Sequence, residues 1–332
     1  MTSRERVYQT LNFKNPERAP RQLWALPWAE FNLGAELKAI RAEYPDDIAH
    51  PPVVLAEPSR AIGDAYTVGQ YTDDWGCVFE NIQAGIIGEV RNPIVKDWEA
   101  DRDKVHIPIE WLRFDAGLVN EFCAATDKFV LTGCCPRPFE QMQFIMGTAN
   151  MYVELMDPSD AFLAFMKELH AFYCELAEKW MTETNVDALF FMDDWGSQND
   201  LLISPELWCK YFKPLYRDYI EIAHRNGKKA FMHSDGNILK IYPHLIDLGL
   251  DAINSQIFCM GIEKLAPFAG KITFWGEMDR QHLLVNASPE EVAAAVEKVR
   301  TVLWKNGGCI AQCEFGPGAK PENVRQVFES WA

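Results

Sequence analysis

Apolar residues in this chain come in short runs, and the runs from residue 188 onward end in polar positions. Ala188-Leu-Phe-Phe-Met192 runs into Asp193-Asp194-Trp195-Gly196, and Lys229-Ala-Phe-Met-His233 runs into Ser234-Asp235-Gly236-Asn237. Asp251-Ala-Ile-Asn-Ser-Gln256 carries Asn254 and Gln256 at its end. Lys271-Ile-Thr-Phe-Trp275 leads to Gly276-Glu277-Met278-Asp279, and Cys309-Ile-Ala-Gln-Cys313 leads to Glu314. With Gln22-Leu-Trp-Ala-Leu26 and Phe129-Val-Leu-Thr-Gly133, these runs have the length and composition of buried strands. Between them lie helical signatures. Ser204-Pro205-Glu206 and Ser288-Pro289-Glu290 each supply an N-cap, a first-turn proline and a first-turn acid. Asn226-Gly227 and Gly249 supply C-caps. The pattern predicts helices over 1–12, 30–45, 115–126, 139–149, 158–182, 204–226, 238–248, 261–268, 288–305 and 321–331.

Strands alternating with helices predict a parallel sheet with crossover connections, either a barrel or a doubly wound sheet. No Gly-x-Gly-x-x-Gly follows a strand, which counts against dinucleotide binding. Polar residues at the ends of many different strands suit a (β/α)8 TIM barrel, whose site lies at the C-terminal face. The expected fold is therefore α/β, one (β/α)8 barrel domain over residues 1–332 with an N-terminal elaboration. Residues 50–110, rich in Pro, Gly and aromatics, read as an irregular excursion with short hairpins near the site mouth.

Composition narrows the partners. The chain has 332 residues, 48% of them hydrophobic and 12% aromatic, which is ample core material. A formal net charge of -16 disfavours nucleic acid and anionic membranes as partners. The first residues, Met1-Thr-Ser-Arg-Glu-Arg6, lack the apolar core of a signal peptide. No run approaches transmembrane length. Nine cysteines, an odd number without Cys-x-x-Cys, are expected as reduced thiols in the cytosol.

The candidate chemistry sits at the strand ends. His233 and Asp235 are two apart, so one strand points both to the same face. Imidazole, carboxylate and thiolate are zinc donors, and three protein ligands with an open position make a catalytic site. His233, Asp235 and Cys313 are the candidate metal ligands, with Glu277 or an aspartate as a fourth. Asp193 and Asp194, paired carboxylates straight after a buried strand, are candidate catalytic groups with Glu277. Asn254 and Gln256 offer neutral hydrogen bonds to a substrate. Trp195, with Asp73 and Trp75 of the repeated Asp-Asp-Trp-Gly at 73–76 and 193–196, completes the candidate substrate contacts. Plainer uses stand beside these: a core histidine at 233, a turn at Asp235-Gly236, core packing for Cys313 and Trp195.

Several motifs resemble the uroporphyrinogen decarboxylase superfamily, and within it the corrinoid-linked methyltransferases that include methylcobamide:coenzyme M methyltransferase. They are Arg4-Glu-Arg-Val-Tyr-Gln-Thr-Leu11 with Pro16-Glu-Arg-Ala-Pro20, Tyr71-Thr-Asp-Asp-Trp-Gly76 with Gly85-Ile-Ile-Gly88, and Pro321-Glu-Asn-Val324. The most specific is Asp193-Asp-Trp-Gly196 followed by Leu202-Ile-Ser-Pro-Glu-Leu-Trp208 and Phe212-Lys-Pro214. The resemblance spans nearly the whole chain and implies a (β/α)8 barrel. That branch carries zinc on a His-x-Cys pair and a distant Cys. Here His233 matches the histidine, Asp235 stands in place of the first cysteine, and Cys313 matches the distant one. A carboxylate is a harder donor than sulfur, so the metal would be more Lewis-acidic and a thiol acceptor is not expected.

The resemblance thus implies a zinc-dependent methyltransferase that moves a methyl group between a small molecule and a corrinoid held by a separate protein. Asp193 or Asp194 and Glu277 would handle protons. Two alternatives remain at this stage. One is a metal-free decarboxylase-like carboxy-lyase, although Arg18 and Arg21 lie in Glu-Arg-Ala-Pro-Arg rather than in that enzyme's paired-arginine motif. The other is a non-catalytic barrel that binds a tetrapyrrole or corrinoid.

Overall fold

Alternating polarity becomes eleven strands in the computed structural model, which describes residues 1–332. In chain order they are β1 (Arg21–Ala25), β2 (Ile48–Ala49), β3 (Gly69–Thr72), β4 (Val78–Asn81), β5 (Glu89–Val90), β6 (Phe129–Val130), β7 (Ala188–Met192), β8 (Lys229–Ser234), β9 (Ala252–Ser255), β10 (Thr273–Trp275) and β11 (Cys309–Phe315). Six of them form one parallel sheet in the order β1-β11-β10-β9-β8-β7. β2 and β6 form a separate parallel pair. The Asp47 N–H donates to the Arg21 carbonyl at 2.8 Å, and Leu131 bridges in parallel to Ala188. The fold is α/β, built on a parallel half-barrel sheet with helices outside it. The expected excursion at 50–110 contains the antiparallel sheet β3-β4-β5.

The helices depart from expectation where the backbone demands it. The helix expected over 139–149 stops at Met146, because Gly147 sits at φ +80°, and a second helix runs Thr148–Met156. The helix expected over 204–226 divides into Pro205–Tyr211 and Lys213–Arg225. Pro214 lies in the first turn of the second piece, where its missing N–H costs no hydrogen bond. The helix Pro27–Glu43 starts earlier than expected and kinks at Leu33.

Side-chain alternation divides the sheet into two faces. Ala188, Phe231, Ala252, Trp275 and Ile310 belong to a cluster of 10 buried residues on the inner face. Leu189, Ala230, Met232, Ile253, Phe274, Ala311 and Cys313 belong to the 72-residue cluster between sheet and helices. Carried two residues at a time to the C-terminal ends, the inner series reaches Asp194, His233, Asp235, Asn254, Glu277 and Glu314. The outer series reaches Asp193 and Cys313. Parallel register keeps the inner residues level, with Met192 opposite His233 and His233 opposite Asn254.

The loops after β7 and β8 cross in direct backbone contact. Gly196 N–H donates to the Asp235 carbonyl at 3.1 Å, and Trp195 N–H donates to Ser234 Oγ at 3.1 Å. A Cβ on Gly236 would lie 2.0 Å from the Gly196 carbonyl oxygen, and Gly236 has φ +77°. Any side chain there forces the two loops apart and takes Asp194 and Asp235 with them. Gly236→Ala is expected to cost roughly 2–3 kcal/mol in denaturant unfolding. An unchanged midpoint would show that the crossing is not rigid.

Candidate active site

β8 delivers His233 to the inner face, and β9 fixes its ring. Asn254 Oδ1 lies 2.6 Å from His233 Nδ1, while the Asn254 amide nitrogen donates to the Trp275 carbonyl. That second bond orients the amide so that its oxygen faces the imidazole. Nδ1 therefore carries the proton and donates, and Nε2 is left toward Asp194 Oδ1 at 3.5 Å and Asp235 Oδ1 at 3.6 Å. The Trp24 ring packs 5.2 Å from the imidazole, with Phe190 and Trp275 beside it. Water is thereby excluded from below.

Asp194 and Asp235 approach from neighbouring strands. Asp194 Oδ1 accepts the Asp235 backbone N–H at 2.8 Å. The donor atoms of Asp194, His233 and Asp235 all lie within 4.8 Å of one another. Asp235 Oδ2 accepts from Arg280, whereas its Oδ1 is buried without a hydrogen-bond partner. A buried carboxylate oxygen without a partner is costly, and here it faces an imidazole nitrogen and a second carboxylate. The donor set of two carboxylates and an imidazole fits a zinc ion.

Cys313 is not part of this group. β1 and β11 pair Leu23 with Cys313 and Trp24 with Glu314. Trp24 and Glu314 face inward, so Leu23 and Cys313 face the helices and are wholly buried in the outer core. Burial also holds the Cys313 thiol well above its usual range. The expected ligand is thus corrected by strand parity: the position that faces the site is Glu314. Asp193 is corrected on the same ground. It is completely buried behind the sheet, accepting from Tyr216 Oη at 2.5 Å and from the Glu140 N–H at 2.8 Å. Trp195 stacks on Phe139 at 3.9 Å and donates to Tyr216 Oη at 2.8 Å. It is fully buried core and offers a substrate nothing.

Glu277 does reach the site, though not the three-donor group, since Arg280 holds its carboxylate at 3.1 and 3.3 Å. Burial drives the Glu277 carboxyl up to about 8 in spite of Arg280. Gln256 accepts from the Gly236 N–H at 3.2 Å, steadying the loop after β8. With Glu277 and Arg280 it lines a polar cavity of about 250 Å³. Asp279 serves its own turn, accepting from the Gln281 and His282 N–H groups. Asp73 and Trp75 line a different cavity, under the excursion.

Arg280 is the residue that pattern reasoning missed. Its guanidinium joins Asp235, Glu277 and Glu314, whose Oε1 is 3.3 Å away. A basic residue one position past the acidic end of a strand was the available signal. Glu140 was missed too: burial, then the charge of Asp194, pushes its carboxyl up to about 7. Around His233 and Arg280 the carboxyls of Asp194, Asp235, Glu277, Glu314 and Glu140 converge, and after burial the neighbouring carboxylates are what raise Glu140 and Glu277 toward their protonated forms.

Residues 76–332 match the family described as Uroporphyrinogen decarboxylase (URO-D). The chain belongs to that family. Among solved structures, a methyltransferase from Methanosarcina mazei aligns over 99% of this chain and 98% of its own, with a TM-score of 0.67 and 15% identity. The two share a fold. A GH10 endoxylanase from a sugarcane soil metagenome covers 96% of this chain and 99% of its own at 9% identity, but its TM-score of 0.43 carries no weight. No curated protein matches the chain in sequence. No helix of this family member is long and apolar enough to cross a membrane, and all nine cysteines are free.

Burial alone would keep His233 neutral, but the hydrogen bond and charge of Asp194, then the charge of Asp235, raise its pKa to about 10. Asp194 moves the other way: burial pushes it up, but His233 pulls it below the usual range. Since the folded value for His233 lies above its ordinary one, the pairing stabilises the metal-free protein fully below pH 6.5. That contribution fades as the pH climbs toward 10. Nitrogen-15 NMR of labelled histidines in metal-free protein is expected to find His233 doubly protonated at pH ~7, with a lower pKa in Asp194→Asn. A neutral His233 at that pH would contradict the ion-pair geometry.

Proposed function

We propose that this chain is a metal-dependent methyltransferase on a closed (β/α)8 barrel, exchanging a methyl group between a small molecule and a corrinoid held by a partner protein. Closure is supported by the Asp47–Arg21 hydrogen bond and the Leu131–Ala188 bridge, which join the pair β2-β6 to the two ends of the six-stranded sheet. Asp194, His233 and Asp235 would hold a zinc ion. The chemistry such an ion supplies when bound is Lewis-acid polarisation of the heteroatom that carries the methyl group. The observation that carries the proposal is the unpartnered Asp235 Oδ1 facing His233 Nε2 beside Asp194.

The surrounding residues have separable tasks. Asn254 fixes the His233 tautomer and aims Nε2 at the carboxylates. Glu277, with its carboxyl raised to about 8, carries a proton at neutral pH in the wall of the polar cavity. It is placed to protonate a leaving oxygen or nitrogen. Arg280 offsets the charge of Asp235 and Glu314 without occupying Asp235 Oδ1. Asp193 supports the fold rather than the chemistry.

A carboxy-lyase acting on a polycarboxylate fits less well, because Arg4, Arg6 and Arg18 are engaged elsewhere and Arg21 stands at the N-terminal start of β1. Arg6 and Arg18 bind the buried Asp47 at 2.6 and 2.7 Å, and Arg4 binds Asp187 at 3.0 Å. Asp47 and Asp187 precede β2 and β7, so these pairs lie at the N-terminal ends of the strands, opposite the site.

Elemental analysis after zinc loading is expected to find about one zinc ion per chain, lost in His233→Ala and Asp235→Ala and retained in Cys313→Ala. Asn254→Ala is expected to weaken zinc binding roughly 10–100-fold. The zinc-loaded protein should methylate reduced cobalamin from a methyl ether or methylamine donor, read from the corrinoid visible spectrum. Chelation should abolish that transfer. Full zinc occupancy in His233→Ala, or transfer indifferent to chelation, would overturn the proposal.

A further inference from the structure

A second cavity, of about 330 Å³, lies between the antiparallel excursion, the start of the helix Pro138–Met146 and the helix Asp160–Glu183. Its walls include Tyr71, Trp75, Trp111, Phe144 and Trp180, and one cationic side chain, Arg137. The volume is at the small end of the range for ligand pockets, about 300–1,000 Å³, and suits a single ring. Ring packing braces the walls: Phe114, which does not line the cavity, stacks on Trp180 at 4.3 Å, and the wall indoles of Trp75 and Trp111 meet edge-on at 6.2 Å. Gly133 forms part of the rim. A Cβ there would lie 2.2 Å from Val53 Cγ2 and 2.9 Å from the Trp180 ring.

The polar groups of this cavity are unequally satisfied. Asp73 Oδ1 accepts from the Trp75 and Cys77 N–H groups at 3.0 and 2.7 Å. Asp74 accepts from the Arg60 and Ala61 N–H groups and, through Oδ2, from Trp111 Nε1 at 3.0 Å. Asp74 is therefore occupied in tying separate segments together, and Asp73 Oδ1 in closing its own turn. Arg137 forms no salt bridge, although Glu140 and Asp193 are near enough to feel its charge. The Trp75 Nε1–H is buried and has no acceptor. An aromatic enclosure with a free guanidinium and an unused indole N–H lacks an anion attached to a flat ring.

We propose that this cavity is a binding site for a single-ring aromatic carboxylate, with the ring between the aromatic walls and the carboxylate on Arg137. The cavity shares no lining residue with the Asp194–His233–Asp235 group, and binding there does not require methyl transfer. None of the residues expected from pattern for the metal centre lines it; Asp73 and Trp75, singled out as substrate contacts, do.

The test is titration of the full chain with benzoate, followed by calorimetry and by tryptophan fluorescence, since three indoles line the walls. Benzoate is expected to bind saturably, and roughly tenfold or more tighter than its neutral isostere benzamide. Arg137→Gln should weaken benzoate roughly tenfold or more, while His233→Ala should bind it within about twofold of wild type. Leu55→Trp, which fills the cavity and leaves Arg137 in place, should abolish binding, and it decides the matter should circular dichroism show Arg137→Gln unfolded. Equal binding of benzoate and benzamide, undiminished binding in either cavity variant, or no saturation by about 10 mM would overturn the assignment.

Discussion

The two-residue period of a strand held in parallel register is the constraint from which the site follows. Each inward series on β7, β8, β9 and β11 ends in an acid, an imidazole or an amide, and the pairing of Met192 with His233 and His233 with Asn254 brings those ends level. A one-residue slip in any strand would exchange the whole set for its neighbours. Asp194 would give way to Asp193, and Glu314 to Cys313. The crossing of Gly196 and Gly236 locks β7 and β8 against such a slip, because the two backbones touch there with no space for a side chain.

The electrostatics depend on that placement. The fully buried Glu277 avoids the cost of leaving water by holding its proton. Drawing Asp194, Asp235 and Glu314 partly out of water is costly unless positive charge goes with them. Two cations do so in the metal-free protein: protonated His233 between Asp194 and Asp235, and Arg280 between Asp235, Glu277 and Glu314. They leave Asp235 Oδ1 without a partner, so the compensation is incomplete in the direction a metal ion would complete it. Binding an ion requires His233 to release its proton, which makes the proton and the metal competitors for one nitrogen. Arg280 need not move, since it uses the other oxygen of Asp235.

Much of this was legible in the chain. The apolar runs marked the strands, and the spacing of His233 and Asp235 marked one face because the period belongs to the strand itself. The inward placement of Asn254 and Glu277 was legible for the same reason. Asn254, expected to meet a substrate, is instead fully buried and spends both ends of its amide on His233 and the Trp275 carbonyl. The choice between Asp193 and Asp194, or between Cys313 and Glu314, was not legible. Each pair straddles a parity boundary, and parity is set by partner strands distant in sequence. On β11 both faces are buried, so Gln312 and Cys313 read alike as polar-tolerant core. Trp195 misled because an aromatic after a catalytic strand reads the same whether it stacks on a substrate or on Phe139. Arg280 lies in a loop beyond its strand end, where no periodicity constrains direction. Glu140 sits in the first turn of the helix Pro138–Met146, whose period does not reveal which strand end it faces. The cavity around Arg137 is built from segments far apart in sequence, of which only Asp73 and Trp75 had drawn notice.

The central claim is that strand parity gives the metal centre oxygen and nitrogen donors and keeps sulfur out. Zinc X-ray absorption spectroscopy of the loaded protein tests it directly. The account predicts a first shell of oxygen and nitrogen at about 2.0 Å with no sulfur scatterer. A zinc–sulfur distance near 2.3 Å would contradict it, since a cysteine such as Cys313 would then be reaching the ion from the opposite face of its strand.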